Sequence, residues 1–184
     1  MARFVGGLVL LAAAILGTKA SQHQAAGITG SSREEGQMPE VQQPQQWGDP
    51  AGGLVTALTA ARREFPDGTP VDVRLWVKNV SGQQKRVEHC GFWPNHYLRV
   101  TDQDGREVPT TQKGAATRAA FKKPSRRKCF FIPLEPDKID DAYESFDLRE
   151  YFELPTGEIH VECESWLGGR PLLSNRLTMI VNGK

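Results

Sequence analysis

The sequence has no long apolar run beyond its first 20 residues, almost no net charge and only three cysteines. Later segments fall short of the about 18 consecutive apolar residues that a spanning helix needs, so no membrane span is expected. The chain carries 23 Lys and Arg against 22 Asp and Glu. This balance gives no reason to expect nucleic-acid binding, which depends on neutralising many phosphates.

The familiar catalytic motifs are missing as well. The chain has no Gly-x-Ser-x-Gly elbow, no His-Glu-x-x-His and no glycine loop that could cradle a phosphate. We therefore expect no enzyme activity, no catalytic residue and no cofactor. A transition-metal site is the alternative reading of the histidines and cysteines, but their spacing fits no zinc motif; they are His89, Cys90, His96, Cys129, His160 and Cys163. We therefore expect no metal.

The first 20 residues have the three-part layout of a secretory signal peptide. Arg3 gives a positive start, residues 5–17 are apolar apart from glycines, and Ala20 offers a small residue for cleavage. The layout predicts a secreted or periplasmic protein. Its removal would leave about 164 residues, enough for one domain with a core.

Residues 21–46 read as a disordered, low-complexity tether. The segment is rich in Gln, Gly, Ser and Ala and has few large apolar residues, so it cannot bury enough surface to offset its ordering entropy. The folded domain is predicted to span residues 47–184.

Within this domain the dominant pattern is the two-residue alternation of half-buried strands. Residues 71–80 are the clearest case, and further strands are predicted around 54–61, 96–101, 106–110, 130–134, 159–163 and 177–181, with turn residues between them. Seven or eight short strands without a long helical period predict an all-β fold, an antiparallel two-sheet sandwich. Alternation turns Trp76 away from the core, where it is either exposed for binding or covered by an insert.

The order of these pieces resembles immunoglobulin-like sandwich domains of secreted bacterial proteins, most closely the module named after a bacterial intracellular proteinase inhibitor. The resemblance spans residues 53–181 and lies in turn and core positions; the matching pieces are residues 68–71, 75–81, 98–105, 146–157 and 174–177. It implies an immunoglobulin-like fold. Proteinase inhibition does not carry over as an expectation, because no inhibitory contact residue matches.

Three cysteines allow one disulfide and leave one thiol. Cys90 and Cys129 are the preferred pair because both lie at the ends of predicted elements and would clamp the segment between them. Cys163 would then be a buried core thiol. Pairing of Cys163 with either partner is the alternative.

The strongest irregularity is a basic run with no acid, which we call the basic insert, residues 113–128. Its cations are Lys113, Arg118, Lys122, Lys123, Arg126, Arg127 and Lys128. The insert could dock an anionic polymer, lipid surface or acidic protein. It could equally be a solvated loop neutralised by the eight acids of residues 135–153.

These features predict an exported, non-catalytic binding or structural module that contacts a protein or anionic polymer of the envelope or outside the cell. One alternative is a proteinase inhibitor that presents the basic insert; another is an accessory domain or small hydrolase. Trp93, in a turn, is a candidate exposed aromatic at a binding surface. The oligomeric state stays open.

Overall fold

The computed structural model describes residues 43–119, 121, 129–140, 145–167 and 169–183. The predicted signal peptide, most of the predicted tether and five cations of the basic insert lie outside the described residues. All described residues belong to one compact unit, Gln37–Lys184. Among these described residues, no helix is long and apolar enough to cross a membrane.

Short strands account for most of the described secondary structure. In chain order they and the helices are β1 (Leu54–Ala60), β2 (Glu64–Phe65), β3 (Asp72–Asn79), β4 (Lys85–His89), α1 (Phe92–Asn95), β5 (His96–Asp102), α2 (Gln112–Arg118), β6 (Phe130–Leu134), β7 (Ile139–Asp140), β8 (Phe146–Asp147), a 3-10 turn (Leu148–Glu150), β9 (Gly157–Leu167), β10 (Arg170–Leu173) and β11 (Leu177–Val181). Eight strands have four or more residues. The predicted all-β sandwich is confirmed.

Two sheets form the body of the fold. In the first, β3 pairs with β1 on one side and with β7 and β8 on the other. In the second, β9 pairs with β5, β10 and β11, and β2 joins β11 in parallel. The parallel pair departs from the fully antiparallel sandwich that we expected. A third, two-stranded ribbon consists of β4 and β6.

The core consists of the inward stripes of these strands. Val73, Leu75 and Val77 of β3 are at most 1% exposed, as their alternation predicts, and they belong to one cluster with Ile159 and Val161 of β9. Burying one such side chain contributes about 1.5–3 kcal/mol, against about 0–1 kcal/mol for an exposed ion pair. The alternating stripes therefore dominate the energetics of the fold.

Trp76 lies on the opposite face of β3 and is nevertheless buried, with 5% of its surface exposed. Its indole Nε1 donates to Thr59 Oγ1 at 2.8 Å, and the Arg74 guanidinium lies 5.0 Å from the ring centroid. Of the two readings that the sequence left for this residue, the covered one is correct. A hydrogen-bonded, covered indole cannot serve as an exposed binding aromatic.

Two segments differ from the sequence prediction. After the turn at Asp102, the chain returns antiparallel to β5 as predicted, but briefly: Thr101 and Glu107 form an isolated bridge and Val108 N donates to Val100 O at 2.9 Å, without a strand over residues 106–110. Pro109 within that stretch has no N–H to donate to a ladder. Next, the first part of the basic insert is the helix α2, which Thr111 caps by accepting from Gly114 N at 3.1 Å.

Gly114 explains why this helix can sit where it does. A Cβ at this position would lie 1.9 Å from the carbonyl oxygen of Tyr151, so only glycine permits the approach. Thr111 N also donates to the Tyr151 oxygen, at 3.1 Å. The helix is thereby held against the segment that follows β8.

Candidate binding cleft

A cleft of about 510 Å³ opens beside the ribbon of β4 and β6. It is lined by three separate parts of the chain, namely the end of β4 with α1, the first residue of β6, and residues 145–151. Its volume lies within the range of about 300–1,000 Å³ that is usual for ligand sites. Trp93, a candidate exposed aromatic from the sequence, lines the cleft but is half-buried and packs against the core.

One wall is a cluster of packed aromatic rings. The ring centroids of Trp93 and Tyr151 are 4.4 Å apart, and those of Phe92 and Phe146 are 4.6 Å apart. Such contacts contribute about 0.5–1.5 kcal/mol each beyond the burial of their area. Gly91, at φ 89°, makes the sharp exit from β4 that places Phe92 and Trp93 here. The wall is therefore pre-formed.

Phe130, which stacks on His89, also lines the cleft. The two rings are nearly parallel, at 17°, with centroids 5.4 Å apart, and Phe130 is 59% exposed. His89 Nε2 is 2.7 Å from Asp140 Oδ2, and both side chains are only 5% exposed. The imidazole is thus fixed by a buried carboxylate, and it supports the exposed Phe130 from behind.

The disulfide lies at the end of these two strands. His89 and Phe130 are paired in register, and Cys90 and Cys129 are their immediate neighbours. The structure joins Cys90 to Cys129, the pair preferred from the sequence, and leaves Cys163 as a buried thiol. The cross-link therefore closes the ribbon at the point where it forms the cleft wall.

Two carboxylates line the same cleft. Asp147 Oδ1 accepts from Val71 N at 2.8 Å and from Arg149 N at 3.0 Å, so Asp147 caps the 3-10 turn. Glu150 is exposed and contacts the Lys113 ammonium. Burial, and secondarily the negative charge of Asp147, raises the pKa of the nearby Asp72. This end of the cleft is therefore electronegative.

Of the cations of the basic insert, the structure describes Lys113 and Arg118. Lys113 Nζ lies 4.6 Å from the centroid of the Tyr151 ring, and its hydrogen bond with Glu150 raises its pKa. The Arg118 guanidinium lies 5.1 Å from the Tyr97 ring and 3.6 Å from Glu107. Both cations contact acids and rings of their own chain. The five others lie outside the described residues: Lys122, Lys123, Arg126, Arg127 and Lys128.

The histidines and cysteines that could have held a metal do not meet in one site. The Cys90 and Cys129 sulfurs form the disulfide, and burial raises the pKa of the Cys163 thiol to about 12. His96, whose Nδ1 is 2.8 Å from Ser165 Oγ, has its pKa lowered to about 3 by burial. His160 contacts Thr178 on the second sheet.

The cleft as a whole was not predicted. Of its residues, sequence reasoning singled out Trp93 as a binding candidate, while it assigned Phe130 to a strand as an ordinary apolar residue. Phe146, Tyr151, Asp147 and Glu150 carry no motif, and the signal that could have raised them is the aromatic spacing of residues 146–152.

Comparisons with known proteins give similarities of low identity. No family model matches the chain, and no curated protein matches it. Among solved structures, the sporulation control protein Spo0M from Bacillus subtilis is 14% identical over 73% of this chain and 51% of its own, with a TM-score of 0.42. The β-glucosidase EmGH1 from Erythrobacter marinus is 14% identical over 69% of this chain and 15% of its own, with a TM-score of 0.37.

A β-glucosidase from Listeria innocua is 12% identical over 70% of this chain and 16% of its own, with a TM-score of 0.35. This chain therefore spans about half the length of Spo0M and about one sixth of either glucosidase. Similarities of this size indicate neither a family nor a function. The functional argument rests on the cleft.

Proposed function

We propose that this chain is an exported, non-catalytic binding module, and that its aromatic cleft contacts a macromolecule of the envelope or the extracellular space. One observation carries the proposal: the cleft is lined by the buried Tyr151, the half-buried Trp93 and the exposed Phe130. Exposed aromatic residues on a rigid support are the side chains that contribute most to binding interfaces. The signal-peptide pattern and the disulfide both favour an oxidising compartment.

The side chains near the cleft that could take part in catalysis have structural roles. The imidazole of His89 and the carboxylate of Asp140 form a pair of the kind that orients a general base, but both side chains are 5% exposed. Asp147 caps the 3-10 turn, and Glu150 holds Lys113. These roles support binding over hydrolysis.

The other proposed roles have less support from the structure. A proteinase inhibitor would present an extended loop within the basic insert, whereas α2 folds residues 112–118 into a helix. Of the cations in the docking patch for an anionic partner, the two that the structure describes, Lys113 and Arg118, contact Glu150 and Glu107. Among the described residues, the cleft has the stronger support as the contact surface.

Phe130 and Phe131 offer a matched pair for testing the proposal. They are adjacent on β6, exposed by 59% and 50%, and alternation directs them to opposite faces of the ribbon. The Arg86 guanidinium lies over the Phe131 ring, 4.5 Å from the ring centroid. A photo-reactive phenylalanine, p-benzoylphenylalanine, can replace either residue, because both side chains are exposed and leave room for its added benzoyl group.

The experiment is ultraviolet cross-linking of the two variants in the cells that make the protein. We expect a discrete cross-linked species from position 130 that is absent or much weaker at position 131. Competition by added unlabelled wild-type protein should abolish it, whereas the same amount of protein carrying Trp93→Ala should not. No product at position 130, or the same products at both positions, would refute the cleft as the contact surface.

A further inference from the structure

One positive charge of the chain itself contacts two residues that line the cleft. The ammonium of Lys113 contacts the Glu150 carboxylate and lies 4.6 Å from the centroid of the Tyr151 ring. A cation over an aromatic face beside a carboxylate is the general arrangement by which proteins recognise organic cations. Lys113 thus marks a place where both attractions act together.

The residues that line the cleft favour a cation over an anion. Asp147 and Glu150 line it, and the part of its lining that the structure describes includes no lysine or arginine. Asp147 Oδ2 accepts none of the hydrogen bonds found among the described residues, because both bonds of this side chain use Oδ1. An incoming cation would therefore share the Glu150 carboxylate with Lys113. It could also bind Asp147 Oδ2.

The shape of the cleft favours a flat cation. Its lining includes the rings of Trp93, Phe146 and Phe130. A guanidinium is planar, stacks on aromatic faces and binds a carboxylate through two parallel hydrogen bonds, whereas an ammonium is a compact, strongly hydrated charge.

We propose that the cleft receives an arginine side chain of a protein partner, and that this guanidinium displaces Lys113 from Glu150 and Tyr151. The proposal deepens the proposed function and rests on it. Lys113 then acts as a built-in competitor that lowers the affinity for the partner. Since Lys113 stands on α2, which Gly114 allows to approach the Tyr151 backbone, the competitor is held in place by the fold.

The test uses the full chain and a small probe, Nα-acetylarginine amide, with Nα-acetylcitrulline amide as its neutral isostere. Binding is followed by NMR through the indole N–H signal of Trp93, assigned by its loss in Trp93→Phe. We expect the arginine probe to shift this signal in a saturable way, and the citrulline probe to bind at least about fivefold more weakly, as expected for the loss of a cation–π and ion-pair contact.

Variants of Lys113 test the competitor role. Lys113→Gln should tighten arginine binding about two- to fivefold, because an exposed pair contributes up to about 1 kcal/mol. Lys138→Gln is the matched control, since Lys138 is exposed, carries the same charge and, among the described contacts, reaches neither Glu150 nor Tyr151. Adding Glu150→Gln to Lys113→Gln should remove the gain. Thermal unfolding of each variant establishes that it is folded.

Equal binding of the arginine and citrulline probes would overturn the inference, and so would equal affinities of Lys113→Gln and Lys138→Gln. With either result, the proposed function would still stand if cross-linking at position 130 succeeds. The converse pattern, arginine binding without any cross-link at position 130, would remove the macromolecular partner and leave a site for a free cation.

Discussion

Removal of the Cys90–Cys129 disulfide gives the sharpest quantitative prediction. The two residues are 39 positions apart, so the cross-link closes a loop of about 40 residues in the unfolded chain. On the chain-entropy model this costs the unfolded state about 13 cal/mol/K, or about 4 kcal/mol at 25 °C. That amount is a large fraction of the about 5–15 kcal/mol by which domains are stable.

The assay is urea unfolding at equilibrium, followed by tryptophan fluorescence. We compare Cys163→Ala with the triple variant that adds Cys90→Ala and Cys129→Ala, so that the cost of replacing the buried Cys163 cancels. The free energy of unfolding should fall by about 3–4 kcal/mol, and the denaturant slope should rise because the uncross-linked chain exposes more surface. Dithiothreitol should destabilise the first protein and leave the second unchanged.

A loss below about 1 kcal/mol with an unchanged slope would refute this reasoning. It would mean that the loop is already restricted in the unfolded chain without the cross-link.

Further predictions concern buried ionisable groups and the basic insert. Burial lowers the pKa of His96 from 6.5 to about 3, so between these pH values the unfolded chain binds a proton at His96 that the folded chain does not. The free energy of unfolding should therefore fall by up to about 1.4 kcal/mol per pH unit as the pH drops from 6.5 towards 3. His96→Gln should lose this pH dependence. Burial raises the pKa of the Cys163 thiol to about 12, so dithionitrobenzoate should label it in urea and not in the native protein; rapid native labelling would contradict its burial. Asp140→Ala should cost about 1–3 kcal/mol in urea unfolding, because it removes the buried hydrogen bond with His89 Nε2; an unchanged stability would mean that this contact is not buried. If the basic insert binds anionic polymers, retention on heparin should drop when its central cations are replaced by serine, and unchanged retention would exclude that role; these are Lys122, Lys123, Arg126 and Arg127.

The strands could be predicted because their information is local. Val73, Leu75 and Val77 alternate with polar residues, and so do Ile159 and Val161, and a period of two specifies both strand and buried face. The covered Trp76 could not be predicted, because its burial depends on Thr59 and Arg74 of neighbouring positions in the sheet.

The cleft could not be predicted because it is assembled from distant segments. Phe130 stands 37 positions from Trp93 in the printed sequence, and neither residue carries a motif. Both residues reach the cleft only because of the β4–β6 ribbon and of α1, which begins after Gly91. The helix α2 was missed for a different reason. Its seven residues are too few for a helical period, and contact with Tyr151 holds it.

The position of the cross-link ties the maturation of the binding surface to the redox state of the surroundings. Cys90 and Cys129 flank the register pair of His89 and Phe130, so a newly made chain with reduced thiols has nothing covalent to hold the ends of the ribbon together. If the chain is exported as we propose, oxidation of Cys90 and Cys129 would fix Phe130 at the cleft that Trp93 also lines, and only after translocation. Precursor molecules would then be poor binders during synthesis, and premature capture of partners in the reducing cytoplasm would be avoided.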